Sequence, residues 1–228
     1  TSARWWRTPA RASVSTSVEP LRVAVLLSGR GSNLGALIEA TRAGLPIRIV
    51  GAFSNKPEAP GLGLAREASI PTSVVEPRAH ADKAAFEAAL FAAVAASGAE
   101  LVVLAGFMRV LSAETVEHWR GRLINIHPSL LPKYQGLHTH ARALEAGDRE
   151  HGASVHFVTP VLDGGPVLIQ VRIPVLPGDT ADTLAARLLP QEHRLLVAAV
   201  RLFAERRVRL DGDRIVVDGE VLAAPLEL

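Results

Sequence analysis

Between Leu21 and His127, short apolar segments alternate with segments whose apolar residues recur at helical spacing. The apolar segments are LRVAVLL, IRIVGAFS, TSVVE, ELVVLAG and RLINIH, and the helical segments begin near residues 34, 61, 81 and 113. Parallel strands need a crossover between them, and a helix is the usual one. This alternation therefore predicts an α/β fold with a doubly wound, mostly parallel, Rossmann-like sheet.

The pattern changes after residue 150. GASVHFVT and GPVLIQVRIPV are two apolar segments with no helical segment between them, which predicts an antiparallel C-terminal portion of the sheet. A long helical segment follows over residues 179–207, and a β-hairpin is expected around Asp211 and Gly212. We find no internal repeat and no linker. We therefore expect a disordered leader over 1–20 and a single domain over 21–228, ending in a C-terminal helix and a terminal β-hairpin.

Composition narrows the class of protein. Apolar residues make up 48% of the 228 residues and aromatic residues 4%, which favours helices packed on a sheet. Cysteine is absent, so disulfides and thiolate metal sites are excluded. The leader is Arg-rich, a composition also found in transit peptides, and the remaining residues carry 22 basic and 22 acidic side chains. This neutral balance favours small-molecule substrates over nucleic acid or membrane, and we expect a cytoplasmic monomer or homodimer.

The segment SGRGSN, residues 28–33, lies between the first predicted strand and the first predicted helix. Gly29 and Gly31 allow a tight turn, and the N-terminus of the helix favours an anion. The segment lacks the lysine of a P-loop and the third glycine of a dinucleotide fingerprint. It therefore indicates a monophosphate site, although an ordinary glycine-rich turn remains an alternative.

Asn125 and His127 lie two residues apart at the end of a predicted strand, so their side chains share a face. Two such donors suit the oxyanion that forms when a carbonyl is attacked. Asp163, in the segment LDGG, is the best candidate to orient the imidazole and raise its pKa. A structural histidine and a simple Asp-Gly turn are the alternative interpretations. We predict no metal site, because His138 and His140 have the wrong spacing for a helical ligand pair.

Four segments together resemble the phosphoribosylglycinamide formyltransferases of de novo purine synthesis. They are VAVLLSGRGSNLGALIEA, VVLAGFMRVL, INIHPSLLPKYQGLHTHARALEAGDREHGASVHFV and LDGGPVLIQ, and the similarity extends from about residue 21 to about residue 210. The resemblance implies an enzyme that transfers a formyl group from 10-formyltetrahydrofolate to the amine of phosphoribosylglycinamide, without a metal.

The resemblance also implies roles for individual residues. The catalytic residues would be Asn125, His127 and Asp163. The acceptor substrate would be bound by Gly31, Ser32, Asn33, Gln191 and Glu192. The folate would be bound by Lys83, Met108, Arg109, Val110, Leu111, Asn125, Thr159, Pro160, Val161, Leu162 and Asp163.

The sequence departs from the family pattern at a few positions. Lys83 stands where an arginine is expected, Leu189 and Pro190 replace polar residues, and Gln135 stands where proline is frequent. Methionyl-tRNA formyltransferase and formyltetrahydrofolate hydrolase are related alternatives, for which we expect an additional C-terminal or N-terminal domain. A non-catalytic nucleotide-binding module is an alternative of another class. It would not require Asn125, His127 and Asp163 to meet.

Overall fold

A computed structural model describes residues 19–228 of the chain. The predicted leader therefore falls almost entirely outside the described residues. The strands are β1 Leu21–Leu27, β2 Ile47–Ser54, β3 Thr72–Val74, β4 Leu101–Leu104, β5 Leu123–His127, β6 Glu150–Phe157, β7 Val167–Pro174, β8 Val208–Asp211, β9 Arg214–Val217, β10 Glu220–Val221 and β11 Leu226–Glu227. The helices are α1 Ser32–Arg42, α2 Gly61–Glu67, α3 Lys83–Ala96, α4 Ala113–His118, α5 Thr139–Glu145 and α6 Ala181–Ala204, with a 3₁₀ turn at Pro77–Ala79.

The central sheet has the strand order β11-β7-β6-β5-β4-β1-β2-β3. Strands β1 to β5 run parallel to one another, whereas β6 is antiparallel to both β5 and β7. This confirms the predicted α/β fold, with a mostly parallel sheet that becomes antiparallel toward the C-terminus. Strands β8, β9 and β10 form a separate antiparallel sheet.

The two faces of β1 pack against different helices, as the doubly wound fold requires. Val23, Val25 and Leu27 face a core that includes apolar residues of α1, α2 and α6. Ala24 and Leu26 face a second core that includes residues of α3 and α4. Because successive strand residues point to opposite faces, a strand covered on both sides must be apolar throughout, which explains the unbroken apolar run VAVLL over residues 23–27.

Helix α6 continues through Pro190. It begins at a capping box in which the side chains of Thr180 and Thr183 bond each other's backbone N–H. Within residues 19–228, no helix is both long and apolar enough to span a bilayer.

Candidate functional site

The site lies at the carboxyl edge of the parallel strands. The chain winds outward from β1 through β2 to β3, then returns to place β4 on the other side of β1. The connections after β1 and β4 therefore leave the sheet in opposite directions and open a crevice between them. The segment SGRGSN follows β1, and Asn125 and His127 end β5, so both predicted motifs meet at this edge.

The turn between β1 and α1 is shaped by a close approach of two backbones. Gly31 has a φ of 75°, and a Cβ atom there would lie 2.5 Å from Cα of Gly61. Glycine is therefore required, both for the left-handed conformation and for the packing of α1 against α2. The Ser28 hydroxyl donates to Asn55 and accepts a 2.9 Å hydrogen bond from the N–H of Met108, which links this turn to the loop after β4.

Two polar side chains lie beside this turn, of which Asn33 is buried and Glu192 half-buried. Oδ1 of Asn33 is buried and has no hydrogen-bond partner within residues 19–228. Burial raises the pKa of Glu192, on α6, to about 7, while a hydrogen bond with the Asn33 side chain opposes this rise. The packing of α6 on α1 thus brings Glu192 next to the predicted phosphate turn. The neighbouring Gln191 accepts a 3.0 Å hydrogen bond from Arg194.

Asp163 joins Asn125 and His127. Nδ2 of Asn125 lies 3.4 Å from Oδ1 of Asp163, and Nδ1 of His127 lies 3.5 Å from Oδ2. These three side chains therefore converge, which counts against a module that binds nucleotides without catalysis. Asp163 has a φ of 48°, in the left-handed region that non-glycine residues seldom adopt.

Opposing effects act on the pKa of His127. Burial lowers its pKa below 6.5 and outweighs the opposing effects of the Tyr134 carbonyl and the Asp163 carboxylate. Asp163 thus raises the pKa of His127, as expected, but its effect is smaller than that of burial. Since Nε2 of His127 contacts the Tyr134 carbonyl at 2.9 Å, Nε2 carries the proton in the neutral ring.

The Asp163 carboxylate is stabilised as an anion. Burial alone would raise its pKa, but the neighbouring His156, the hydrogen bond from the N–H of Gly136 and the charge of His127 lower the pKa below its ordinary value. The bond from Gly136 is 2.8 Å long. The carboxylate is thus an acceptor and a charge partner near neutral pH.

Sequence reasoning missed His156. This residue lies on β6 directly opposite Asn125 in the antiparallel register, is buried, and its Nε2 is 3.1 Å from Nδ2 of Asn125. Its Nδ1 contacts the Phe157 carbonyl at 2.9 Å, so Nδ1 carries the proton and Nε2 accepts from Asn125. The available signal was a histidine inside the apolar segment GASVHFVT, but the pairing that gives it meaning is set by tertiary structure.

An open cleft lies next to Asn125 and Asp163. Its lining consists of Leu104, Phe107, Arg109, Val110, Leu111, Val116, Asn125, His156, Val158, Thr159, Pro160, Leu162 and Asp163. Most residues predicted to contact folate are in this set. The cleft is therefore a candidate site for a partly apolar ligand.

Three residues predicted to contact folate lie outside the cleft lining. Lys83 begins α3, and its Nζ lies 3.6 Å from Oε1 of the buried Glu87. Met108 and Val161 point outward, with 62% and 65% of their surface exposed. For these three residues, contact with folate stays a prediction.

His140 and His151 form a separate pair, with Nδ1 and Nε2 3.0 Å apart. Burial lowers the pKa of His151 to about 4, and the neighbouring His140 adds to this effect. Within residues 19–228, no group of three His, Cys, Asp or Glu side chains is placed to hold a metal ion.

Comparison with known proteins establishes the family. The profile of a family described as "Formyl transferase" matches residues 21–200. The chain belongs to the formyl transferase family. It is 46% identical over 203 residues to phosphoribosylglycinamide formyltransferase of Escherichia coli, an alignment that covers 89% of this chain and 96% of the relative. This formyl transferase is accordingly an enzyme that transfers a one-carbon group.

Solved structures show the same fold. A phosphoribosylglycinamide formyltransferase from Coxiella burnetii superimposes with a TM-score of 0.89 at 44% identity, over 92% of this chain and 100% of that one. A formyltetrahydrofolate deformylase from Burkholderia mallei superimposes with a TM-score of 0.78 at 38% identity, over 87% of this chain and 70% of that one. The fold therefore hosts both transfer and hydrolysis of a formyl group.

Proposed function

We propose that this formyl transferase moves the formyl group of 10-formyltetrahydrofolate to the amine of phosphoribosylglycinamide. The products are N-formylglycinamide ribonucleotide and tetrahydrofolate, the third step of de novo purine synthesis. The observation that carries the proposal is that a phosphate-type turn and a partly apolar cleft open on one sheet edge, with Asn125, His127 and Asp163 beside the cleft. The names of the similar proteins support the choice of substrates.

The acceptor substrate would bind at the turn after β1. Backbone N–H groups of Gly31, Ser32 and Asn33 begin α1, where the partial positive charge of the helix suits a phosphate. Glu192 would accept from the ribose hydroxyls, with Gln191 beside it on α6. Asn33 supports this assignment because its buried Oδ1 has no donor within residues 19–228, and a substrate hydroxyl or amine would supply one.

The donor would bind in the cleft. Its pterin ring would contact the apolar and backbone groups of Val110 and Leu111 on one side, and the loop Thr159–Asp163 on the other. Arg109 would meet the negative charge of the folate tail, since its guanidinium lies at the cleft and over the Phe86 ring at 5.7 Å. The formyl group would then project toward Asn125 and Asp163.

Catalysis would proceed through a tetrahedral intermediate. The acceptor nitrogen attacks the formyl carbon, the carbonyl electrons move to oxygen, and the bond from carbon to N10 of the folate then breaks. Nδ2 of Asn125 is the donor for the developing oxyanion, because its 3.4 Å contact with Asp163 is long and a substrate oxygen can replace it. His156 holds the other proton of this amide.

The His127–Asp163 pair would carry the proton. His127 is neutral in the free enzyme, so Nδ1 can accept the proton that the attacking amine loses. The resulting cation lies between the Tyr134 carbonyl and the Asp163 carboxylate and stabilises the oxyanion by its charge. The proton then passes to N10 of the departing tetrahydrofolate, with a water as relay, so that no net charge is created.

The test is an absorbance assay for the deformylated folate, run with both substrates and with each one omitted. We expect turnover that needs both the 10-formyl folate and phosphoribosylglycinamide. Release of formate from the folate without the acceptor would instead identify a hydrolase. Absence of turnover with folded protein and both substrates would contradict the proposal.

A further inference from the structure

Three consecutive residues, Tyr134 to Gly136, contact both members of the catalytic pair. The Tyr134 carbonyl accepts from Nε2 of His127 at 2.9 Å, and the Gly136 N–H donates to the Asp163 carboxylate at 2.8 Å. The side chain of Gln135 also donates to the backbone carbonyl of Asp163 at 3.3 Å, a contact that proline could not make at this position. The separation of His127 from Asp163 therefore depends on where this short segment lies.

The segment has a backbone conformation that needs support. Tyr134 has a φ of 57° and Gly136 a φ of 80°. The left-handed region costs a tyrosine on the order of 1 kcal/mol, so surrounding contacts must hold this residue in place. On one side, Asp148 accepts from the Tyr134 hydroxyl at 2.8 Å and from Nζ of Lys133 at 2.9 Å.

Arg142, on α5, supports the other side. Its Nη1 donates to the Gln135 carbonyl at 2.6 Å, and its guanidinium lies 5.2 Å from the centre of the Tyr134 ring. One side chain thus bonds the backbone of the segment and stacks on its aromatic ring, a combination that a planar guanidinium allows and an ammonium does not. Arg142 is exposed and is not among the residues that line the cleft.

We propose that Arg142 is a positioning residue, which fixes the His127–Asp163 geometry through the backbone of residues 134–136. The proposal rests on the proposed formyl transfer for its kinetic readout. Misplacement of a catalytic group by a fraction of an ångström slows the chemical step more than it weakens binding. Loss of Arg142 should therefore lower kcat and leave the KM values for both substrates nearly unchanged.

Arg142 also acts on His127 by charge, in the direction that lowers the histidine pKa. Asp163 and His156 also act on His127 by charge, and His127 in turn lowers the pKa values of His140 and His151. Removal of the arginine charge should raise the pKa of His127, whereas lysine should leave it close to the wild-type value. The two substitutions therefore separate the charge of Arg142 from its geometry.

The experiment compares Arg142→Met, Arg142→Lys and the control Arg149→Met in the full chain. Arg149 is an exposed arginine whose side chain makes no hydrogen bond or ion pair within residues 19–228. We expect kcat to fall about tenfold in Arg142→Met and about threefold in Arg142→Lys, by loss of the bond and the stacking. The His127 pKa, followed by NMR without substrate, should rise in Arg142→Met alone, and Arg149→Met should match wild type.

Wild-type kcat and an unchanged His127 pKa in folded Arg142→Met would overturn the proposal. A lower melting temperature with unchanged kcat would also overturn it, because it would show a structural role only. If Arg142→Met does not fold, the kcat of Arg142→Lys tests the proposal instead. A kcat equal to that of wild type in Arg142→Lys would then overturn the proposal. If the wild-type protein does not turn over, the proposed function fails, while the NMR titration still tests the link between Arg142 and His127.

Discussion

The two ends of the candidate site are built in different ways. The proposed acceptor end centres on consecutive residues, 28–33, whose backbone turns from β1 into α1, with Glu192 of α6 beside them. The catalytic end is assembled from β5, β6, the loop that carries Asp163 and the segment 134–136. The turn presents mainly backbone groups, whereas the catalytic end consists of side chains from several segments that are distant in the sequence.

This difference follows from the chemistry that each end performs. A phosphate can be bound by the N–H groups at the start of a helix, so a local turn is sufficient. An imidazole and a carboxylate must be held at a defined separation in a buried place, which requires several elements at once. We therefore expect changes at the catalytic end to alter rate, and changes at the acceptor end to alter stability and binding.

The largest effect is expected for Asp163→Asn. The asparagine keeps the shape of the side chain but loses the charge that stabilises protonated His127, so kcat should fall by roughly 10²- to 10⁴-fold. The pKa of His127 should fall further, because the carboxylate raises it in the wild type. Steady-state kinetics report on the catalytic end, and calorimetric titration with the acceptor substrate reports on the acceptor end.

Asp182→Asn, at an exposed aspartate in the first turn of α6, is the matched control and should leave kcat unchanged. A wild-type kcat in Asp163→Asn would contradict the expectation that changes at the catalytic end alter the rate. Weaker acceptor binding with unchanged kcat would assign Asp163 to the acceptor end.

The next largest effect is on stability and compares two glycines of the turn after β1. Gly31→Ala places a Cβ 2.5 Å from the Gly61 backbone at a φ of 75°, so we expect it to lower the free energy of unfolding by about 3 kcal/mol. A Cβ at Gly29 would meet nothing within 4 Å, and Gly29→Ala should change stability by less than ~0.5 kcal/mol. Urea denaturation measures both. Equal stability of the two variants would show that the close approach of α1 to α2 is not needed.

The smallest effect is the pH dependence of the free energy of unfolding that Glu192 causes. Its folded-state pKa of about 7 is above the value in an unfolded chain, so the folded protein holds more protons than the unfolded one between about pH 4.5 and 7. This contribution to stability is present below that window and is lost as pH rises through 7. Between pH 5 and 8 it amounts to roughly 2 kcal/mol.

Glu192→Gln should remove this contribution, so the stability difference between variant and wild type should grow in favour of the variant from pH 5 to 8. Thermal denaturation across that range is the measurement. Glu220→Gln, at an exposed glutamate on β10, serves as the control, and its stability should depend on pH in the same way as that of wild type. If the stability of Glu192→Gln depends on pH in the same way as that of wild type, the pKa of Glu192 is not raised in the folded protein.

Particular residues show how far the sequence alone predicts the site. Gly31, Asn125 and His127 were recognisable because each motif is local: a glycine turn before a helix, and two polar residues on one face of a strand. His156 was missed because its importance depends on the antiparallel pairing of β6 with β5.

The sequence by itself determined the order of strands and helices, the parallel character of the sheet and the ends of the strands where the site lies. These properties follow from periodicity and turn residues, which are local. Only the tertiary structure decided that burial lowers the pKa of His127 and raises that of Glu192 to about 7, and that residues 134–136 contact both His127 and Asp163. Burial and the positions of distant charges set these properties, and both arise when separate segments pack together.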